Sequence, residues 1–209
     1  MTRSPALLLL FLLSFIGCDL PPDELSSVEP AADSAAAHVV QKPTLVDPQT
    51  AGHDAVQQAP AAAICLLQAV GDSQVSGTVR FRQVDAGIHV SGEVRGLSEG
   101  KHGFHVHEFG DLSDMREGKS AGGHFNPGDL PHGHREDEQR HVGDLGNIEA
   151  GADGVAKFEF TDRKITLAGS HSILGHALVV HAGEDKFTQP SGDAGGRVAV
   201  GVIGVAKAE

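Results

Sequence analysis

The 209-residue chain contains no tryptophan, no tyrosine and only two cysteines, and aromatic residues make up 4% of it. Glycine, in contrast, occurs 27 times. Few large aromatic side chains and many turn-forming glycines are more typical of a turn-rich β protein than of a helical bundle. The formal net charge is -12 and no cluster of lysine and arginine stands out, so the basic surface of a nucleic-acid-binding protein is not indicated. We expect no nucleic-acid partner.

The apolar run from Ala6 to Ile16 is too short to span a bilayer comfortably, and it follows a positive charge at Arg3. This order is typical of an export signal. The residues Leu13 to Cys18 resemble the bacterial lipobox, in which cleavage leaves an N-terminal cysteine that takes lipid. We therefore predict a signal peptide over residues 1–17 and a lipid anchor on Cys18, which would hold the protein to a membrane on the extracytoplasmic, periplasmic side. An ordinary signal peptide that contains a cysteine is the alternative.

Residues 18–62 are rich in Ala, Pro, Ser and Asp and show neither the helical nor the strand period, which predicts a flexible, lipidated tether. This segment carries seven acidic residues against Lys42 alone, a net charge of about -6, and leaves about -7 for the rest of the chain once Arg3 is counted. If Cys18 takes lipid, only Cys65 remains. A domain over residues 63–209 must then fold without an internal disulfide, with Cys65 as a buried apolar residue.

Beyond the tether, apolar residues alternate from Val75 to Phe81 and from Ile88 to Val94, which predicts a β-hairpin. Further strands are predicted at Gly103 to Glu108, His141 to Ala150, Val155 to Thr161, Ala177 to His181 and Arg197 to Val205. Roughly eight strands without helical segments between them favour an all-β, antiparallel sandwich or Greek-key barrel. Two long stretches interrupt the strands, at Asp111 to Arg140 and at Ala182 to Gly196, and loops of that length are usually functional.

Thirteen histidines are present, and the spacing of several indicates metal binding. His105 and His107 are two apart on a predicted strand, so both imidazoles project from one face and can reach one ion. His181 ends an apolar strand at the start of the second long loop. A histidine-rich loop can also be merely solvated, and a histidine at a strand end can face solvent. Four further residues could close a tetrahedral site of the kind that zinc prefers: His124, His132, His141 and Asp144.

From about Ala63 to Ala206 the chain resembles the copper/zinc superoxide dismutase family. Five segments carry the resemblance: Gly103 to Asp111, Gly123 to Pro127, Arg140 to Asn147, Leu178 to His181 and Gly201 to Gly204. The resemblance implies an eight-stranded Greek-key β-barrel, with copper held by His105, His107, His124 and His181. It implies zinc held by His124, His132, His141 and Asp144, so that His124 bridges the two ions.

The resemblance assigns three more roles. Asp185 would link the imidazoles of His105 and His132, Arg197 would neutralise and orient an anion beside the copper, and His124 would take up a proton while the copper is reduced. Imidazole ligation suits copper, which has two accessible oxidation states, whereas zinc has one. The copper would be exposed to substrate and the zinc buried. Because the domain is acidic, a local positive charge from Arg197, helped by Lys186, would be needed to attract an anionic substrate.

The predicted function is therefore superoxide dismutation to oxygen and hydrogen peroxide, as antioxidant defence outside the cytoplasm. The alternative is a non-catalytic extracytoplasmic protein that binds copper and zinc on the same fold. A homodimer is possible. The chain has Gly118 and Val200 where the family's disulfide cysteines would be expected, which predicts lower stability or greater reliance on zinc. His134 is a possible competing ligand, and His89, His102, His171 and His176 are predicted to be structural or surface residues.

Overall fold

The computed structural model describes residues 59–207, so the predicted signal peptide, Cys18 and most of the predicted tether lie outside the described residues. Across this range the chain forms eight β-strands, and none of its helical turns is long and apolar enough to cross a membrane. The strands are β1 (Ala62–Ala69), β2 (Ser76–Val84), β3 (Gly87–Arg95), β4 (Gly100–His107), β5 (Asp144–Ala150), β6 (Val155–Asp162), β7 (Ala177–His181) and β8 (Arg197–Val205).

The strands form one antiparallel sheet in the order β5-β4-β7-β8-β1-β2-β3-β6. Neighbours in this order pair antiparallel, and the two outermost strands, β5 and β6, approach each other. The sheet is thus a nearly closed barrel. The chain crosses the barrel from β3 to β4 and again from β6 to β7, as a Greek key requires. The predicted all-β, eight-stranded antiparallel Greek-key architecture is confirmed.

Strand β4 shows how the barrel positions a site on its outer surface. Phe104 and Val106 point into the core, whereas His105 and His107 alternate with them and point outward. Both outward histidines are nevertheless buried, at 0% and 1% exposure, because the long loops cover this face of the sheet. The strand is therefore buried on both sides.

Two long segments connect the strands around this face, residues 108–143 and 182–196. The first contains a 3-10 helix, Lys119–Ala121. A small apolar cluster outside the barrel joins this loop to the sheet, and it comprises Val70, Ala121, Ala177, Val179 and Val200 with Leu112 and Met115 against them. Val200, at the position where a cysteine would be expected, therefore contacts the loop through apolar packing.

The structure differs from the sequence prediction at four places. One is β1 (Ala62–Ala69), which is not among the strands predicted by position. Strand β4 begins at Gly100 rather than Gly103, and β5 begins at Asp144 rather than His141, because the backbone of Gly143 bonds instead to Phe125 and to Val106 of β4. A third irregular segment, residues 163–176, was not predicted. Its Ile165, Leu167 and Ile173 are buried in the barrel core, although its backbone hydrogen bonds are largely internal.

Candidate metal centre

The loops and β4 bring seven potential ligands together on the outer face of the barrel. One group consists of His105, His107, His124 and His181, and a second of His124, His132, His141 and Asp144. Within each group, one ligand atom per residue lies within 4.8 Å of the others. His124 belongs to both groups. The ligands come from β4, β5, β7 and the first long loop, so only the folded barrel assembles them.

In the first group, three imidazoles are held by their outer nitrogens. His107 Nδ1 donates to the Gly122 carbonyl at 3.0 Å and His181 Nδ1 donates to the Gly195 carbonyl at 3.0 Å, while His105 Nε2 donates to Asp185 Oδ2 at 2.8 Å. The other ring nitrogen of each is buried and has no hydrogen-bond partner among the described residues. Because carbonyl and carboxylate oxygens only accept, each outer nitrogen carries the proton and each inner nitrogen keeps its lone pair.

The second group surrounds one carboxylate oxygen. Asp144 Oδ1 lies 2.9 Å from His124 Nδ1, 2.9 Å from His132 Nδ1 and 3.1 Å from His141 Nδ1. The His132 contact lacks hydrogen-bond geometry, so this nitrogen too is buried and unpaired. Asp144 Oδ2 accepts the backbone N–H groups of Gly133 and His141, each at 3.0 Å. Three imidazole nitrogens and a fixed carboxylate form a closed N/O donor set of the kind that binds zinc.

Asp185 connects the two groups from behind. Its carboxylate accepts from His105 Nε2 at 2.8 Å and from His132 Nε2 at 3.0 Å, and both side chains are fully buried. The Phe187 N–H donates to Asp185 Oδ1 at 2.8 Å. The Asn147 side chain fixes the Asp185 backbone, with its amide donating to the Asp185 carbonyl and its oxygen accepting the Asp185 N–H. This carboxylate therefore sets the orientation of one ring in each group.

Burial lowers the pKa of some of these histidines, and neighbouring carboxylates raise the pKa of another. Burial lowers the pKa of His105 to about 3 and that of His181 to about 4, and it lowers the pKa of His107 well below its ordinary value. These rings are neutral at pH 7 and can act as ligands. Burial also lowers the pKa of His132, but the carboxylates of Asp144 and Asp185 beside its two ring nitrogens outweigh burial and raise that pKa to about 9. The same kind of imidazole contacts hold the pKa of Asp144 far below its usual range, against the effect of burial.

Arg197 begins β8 next to the first group. Its guanidinium donates to the Gly118 and Gly122 carbonyls, and Gly122 also accepts from His107 Nδ1. One carbonyl thus positions both a histidine of the first group and the arginine. Burial lowers the pKa of Arg197, but the guanidinium remains charged at neutral pH.

Comparison with known proteins agrees with this geometry. Residues 75–203 match the family model described as copper/zinc superoxide dismutase. A superoxide dismutase [Cu-Zn] from Onchocerca volvulus is 47% identical, over 70% of this chain and 97% of the relative. An extracellular superoxide dismutase [Cu-Zn] from Brugia pahangi is 44% identical, over 69% of this chain and 76% of the relative.

The chain belongs to the copper/zinc superoxide dismutase family. A solved structure of the clock protein EA4 is also similar, with a TM-score of 0.65 and 42% identity over 71% of this chain and 96% of that one. The predictions of an oxidoreductase and of copper and zinc as cofactors are confirmed at the level of the family. The two donor groups fit those metals, since their inner nitrogens are unpaired and their outer nitrogens are fixed.

Three sequence-based expectations about the site, for His134, for Lys186 and for the exposure of the ligands, can be compared with the structure. His134 lies outside both ligand groups, is exposed and accepts the Glu136 N–H at its Nδ1. Lys186 pairs with Asp193 at 2.8 Å, so its charge is partly neutralised and it is a weaker attractor than expected. The expected contrast between an exposed copper half and a buried zinc half is not seen in the ligands themselves, because every ligand except His124 is buried and His124 is partly buried.

Several supporting residues were not predicted from the sequence. Arg140 is 2% exposed, pairs with Asp162 at 2.6 Å and donates to the His141 and Val142 carbonyls, so it fixes the backbone that carries His141. His102, predicted to be structural or on the surface, is buried, and its Nδ1 donates to the carbonyl of His181 at 2.8 Å. Asn147 lies within a family segment, which was the only sequence signal for it.

Proposed function

We propose that the first group holds copper through His105, His107, His124 and His181, and that the second holds zinc through His124, His132, His141 and Asp144. The observation that carries the proposal is the set of buried, unpaired inner nitrogens on His105, His107, His132 and His181. Leaving buried polar atoms without partners is costly, and each of these rings is fixed by its other nitrogen. His124 Nδ1 faces Asp144, which leaves its Nε2 for the copper half.

The proposed reaction consumes two superoxide anions and two protons and releases one oxygen molecule and one hydrogen peroxide molecule. When bound, copper supplies the one-electron oxidation and reduction that this reaction needs. Arg197 binds and orients the substrate anion, because its charge lies beside the copper half and is fixed by two carbonyls. His124 Nε2 would hold a proton for delivery to the peroxide only while it is not a ligand to copper. Asp185 keeps the rings of His105 and His132 in the ligating tautomer.

Metal analysis of the full-length protein tests this assignment. We expect the wild type to retain one copper and one zinc per chain, His107→Ala to lose copper preferentially and His141→Ala to lose zinc preferentially. Truncation of either residue leaves the other ion with its own ligands. If the two variants lost the same ion, or neither lost any, the division into a copper half and a zinc half would be wrong. The rival proposal, a non-catalytic protein that binds the same metals, predicts the same metal content without superoxide turnover.

We also propose that residues 1–17 are a signal peptide, that residues 18–62 are a tether lipidated at Cys18, and that residues 63–209 form the enzyme domain on the extracytoplasmic side of a membrane. The extracellular relative from Brugia pahangi supports an exported protein. Labelling with radioactive palmitate in a bacterial host tests the anchor. We expect label on the wild type and on Cys65→Ala, whose buried thiol is the matched control, and none on Cys18→Ala. Label on Cys18→Ala would contradict the proposal that Cys18 carries the lipid.

An exposed apolar face supports the proposal that the domain forms a homodimer. The large exposed apolar residues of the described chain are Leu66, Phe109, Val202 and Val205. Leu66 and Val202 lie on the paired strands β1 and β8, and a β-carbon added at Gly110, next to Phe109, would lie 3.3 Å from Val202 Cγ1. Contiguous exposed apolar residues are characteristic of protein interfaces. Light scattering should find a dimer for the wild type and a monomer for Phe109→Glu, whereas a monomeric wild type would contradict the proposal.

A further inference from the structure

The side-chain amide of Gln189, in the second long loop, is aligned with the backbone of His132, in the first. Gln189 Nε2 donates to the His132 carbonyl at 2.8 Å, and Gln189 Oε1 accepts the His132 N–H at 3.0 Å. The two residues are 57 positions apart in the chain. This pair of hydrogen bonds has the form of one antiparallel strand pairing, with a side chain in place of the second backbone. It fixes both the position and the direction of the His132 backbone.

No other contact in residues 59–207 supplies a hydrogen-bond partner to the backbone of His132. The imidazole of His132 is held from the same loop, since its Nε2 donates to Asp185 and its ring stacks on Phe187 at 6.2 Å between centroids and 19° between planes. His132 is therefore held by three alternate residues of the second loop: its ring nitrogen bonds to Asp185, its ring stacks on Phe187, and its backbone bonds to Gln189. The sheet and the rest of the first loop provide none of these contacts.

The loop that carries these three residues is itself closed by short-range hydrogen bonds. The Lys186 N–H donates to the Gly192 carbonyl at 2.8 Å, and the Gly192 N–H donates to the Thr188 carbonyl at 2.7 Å. Gln189 thus projects from a braced turn rather than from an extended strand. The first loop, for its part, has no disulfide, because Gly118 and Val200 occupy the expected cysteine positions.

We propose that Gln189 is a positioning residue for the zinc half of the site, acting through the His132 backbone. By fixing that backbone, Gln189 keeps His132 Nδ1 beside Asp144 Oδ1, where it lies at 2.9 Å. Partners that orient metal ligands from outside the coordination sphere commonly contribute about 10- to 100-fold to metal affinity. This inference rests on the proposed zinc site. It adds that order in the second loop and zinc binding are coupled through one amide side chain.

Gln189→Met tests the inference, because methionine matches the length of glutamine and removes both hydrogen bonds. The matched control is Gln83→Met, which makes the same chemical change near the end of β2, where Gln83 donates to the Val84 and Gly87 carbonyls. Two measurements are made on the full-length protein. One is zinc affinity by chelator competition, with copper affinity measured in parallel. The other is hydrogen exchange at the His132 amide in the metal-free protein.

We expect Gln189→Met to weaken zinc binding about tenfold, with a smaller effect on copper, and to accelerate exchange at the His132 amide. Gln83→Met should change neither quantity. Equal losses of zinc and copper affinity would indicate a general structural role and overturn the inference, as would wild-type zinc affinity or an unchanged exchange rate in Gln189→Met. If the wild type bound no zinc, the proposed metal centre would be wrong. An unchanged exchange rate at the His132 amide in metal-free Gln189→Met would separately reject the positioning role of Gln189.

Discussion

Gly192 lies against the carboxylate that connects the two ligand groups, and we predict that Gly192→Ala destabilises the metal-free protein strongly. A β-carbon added at this position would lie 1.8 Å from Asp185 Oδ1, 2.6 Å from Asp185 Cγ and 2.8 Å from His132 Nε2. The backbone there is also left-handed, with a φ of +81°. The substitution must therefore move either the carboxylate or the turn that carries Gly192.

The structure gives the magnitude of the effect. Placing an alanine in a left-handed conformation costs about 1–2 kcal/mol. Displacing the Asp185 carboxylate leaves the buried N–H donors of His105 and His132 without an acceptor, at about 1–3 kcal/mol each. We expect a total loss of about 3–8 kcal/mol in the free energy of unfolding, the sum of these terms. At about 2–4 °C per kcal/mol for a domain of this size, Tm should fall by at least about 6 °C.

Gly175→Ala is the matched control, because Gly175 has the same φ of +81° and an added β-carbon would meet nothing within 4 Å. Gly175→Ala should lower the free energy of unfolding only by the cost of placing alanine in a left-handed conformation, about 1–2 kcal/mol. Thermal and denaturant unfolding of the metal-free wild type and both variants compare them directly. If Gly192→Ala proved no less stable than Gly175→Ala, the packing of Gly192 against the Asp185 carboxylate would not constrain the site.

Three further predictions concern the loaded and metal-free protein. Arg197→Ala should retain both metals but lose about tenfold or more in the rate of superoxide decay under pulse radiolysis, and an unchanged rate would remove its role. Removal of zinc should lower Tm in calorimetry, because no disulfide ties the first loop, and equal melting of zinc-free and loaded samples would contradict this. The metal-free protein should lose stability in denaturant unfolding between pH 7 and pH 5. In this pH range the unfolded chain takes up protons on His105 and His181, whereas in the folded state their pKa values are lowered to about 3 and about 4 and they stay neutral. The pKa of His132 is raised to about 9 in the folded state, which has the opposite effect but offsets only part of the loss. Stability that is equal or greater at pH 5 would refute this sign.

The fold could be predicted from the sequence because its strands alternate. Val79 and Phe81 are buried while their neighbours Arg80 and Arg82 are exposed, and a period of two identifies such a strand without any tertiary information. The same alternation places His105 and His107 together on one face of β4. Their loop partners are different: residue chemistry made His124 and His132 candidate zinc ligands, but only the family resemblance gave His124 a place in both ligand groups.

The supporting contacts could not be predicted because they join residues far apart through single hydrogen bonds. Nothing in the sequence near Gln189 indicates that its amide meets the backbone of His132, and the buried pair of Arg140 and Asp162 likewise has no periodic signature. The partial neutralisation of Lys186 by Asp193 depends on the fold of a short turn. Such contacts follow from the packing of two irregular loops, to which rules of periodicity do not apply.

We propose that seven residues, in two groups that have His124 in common, form a copper and zinc centre that disproportionates superoxide. The most direct test is the decay of superoxide, followed by pulse radiolysis, in the presence of the full-length protein loaded with both metals and of His181→Ala treated identically. We predict rapid catalysed decay with the wild type and a rate near that of the uncatalysed reaction with the variant. Equal rates for the two proteins, or no acceleration by the wild type, would show that this site does not catalyse superoxide decay.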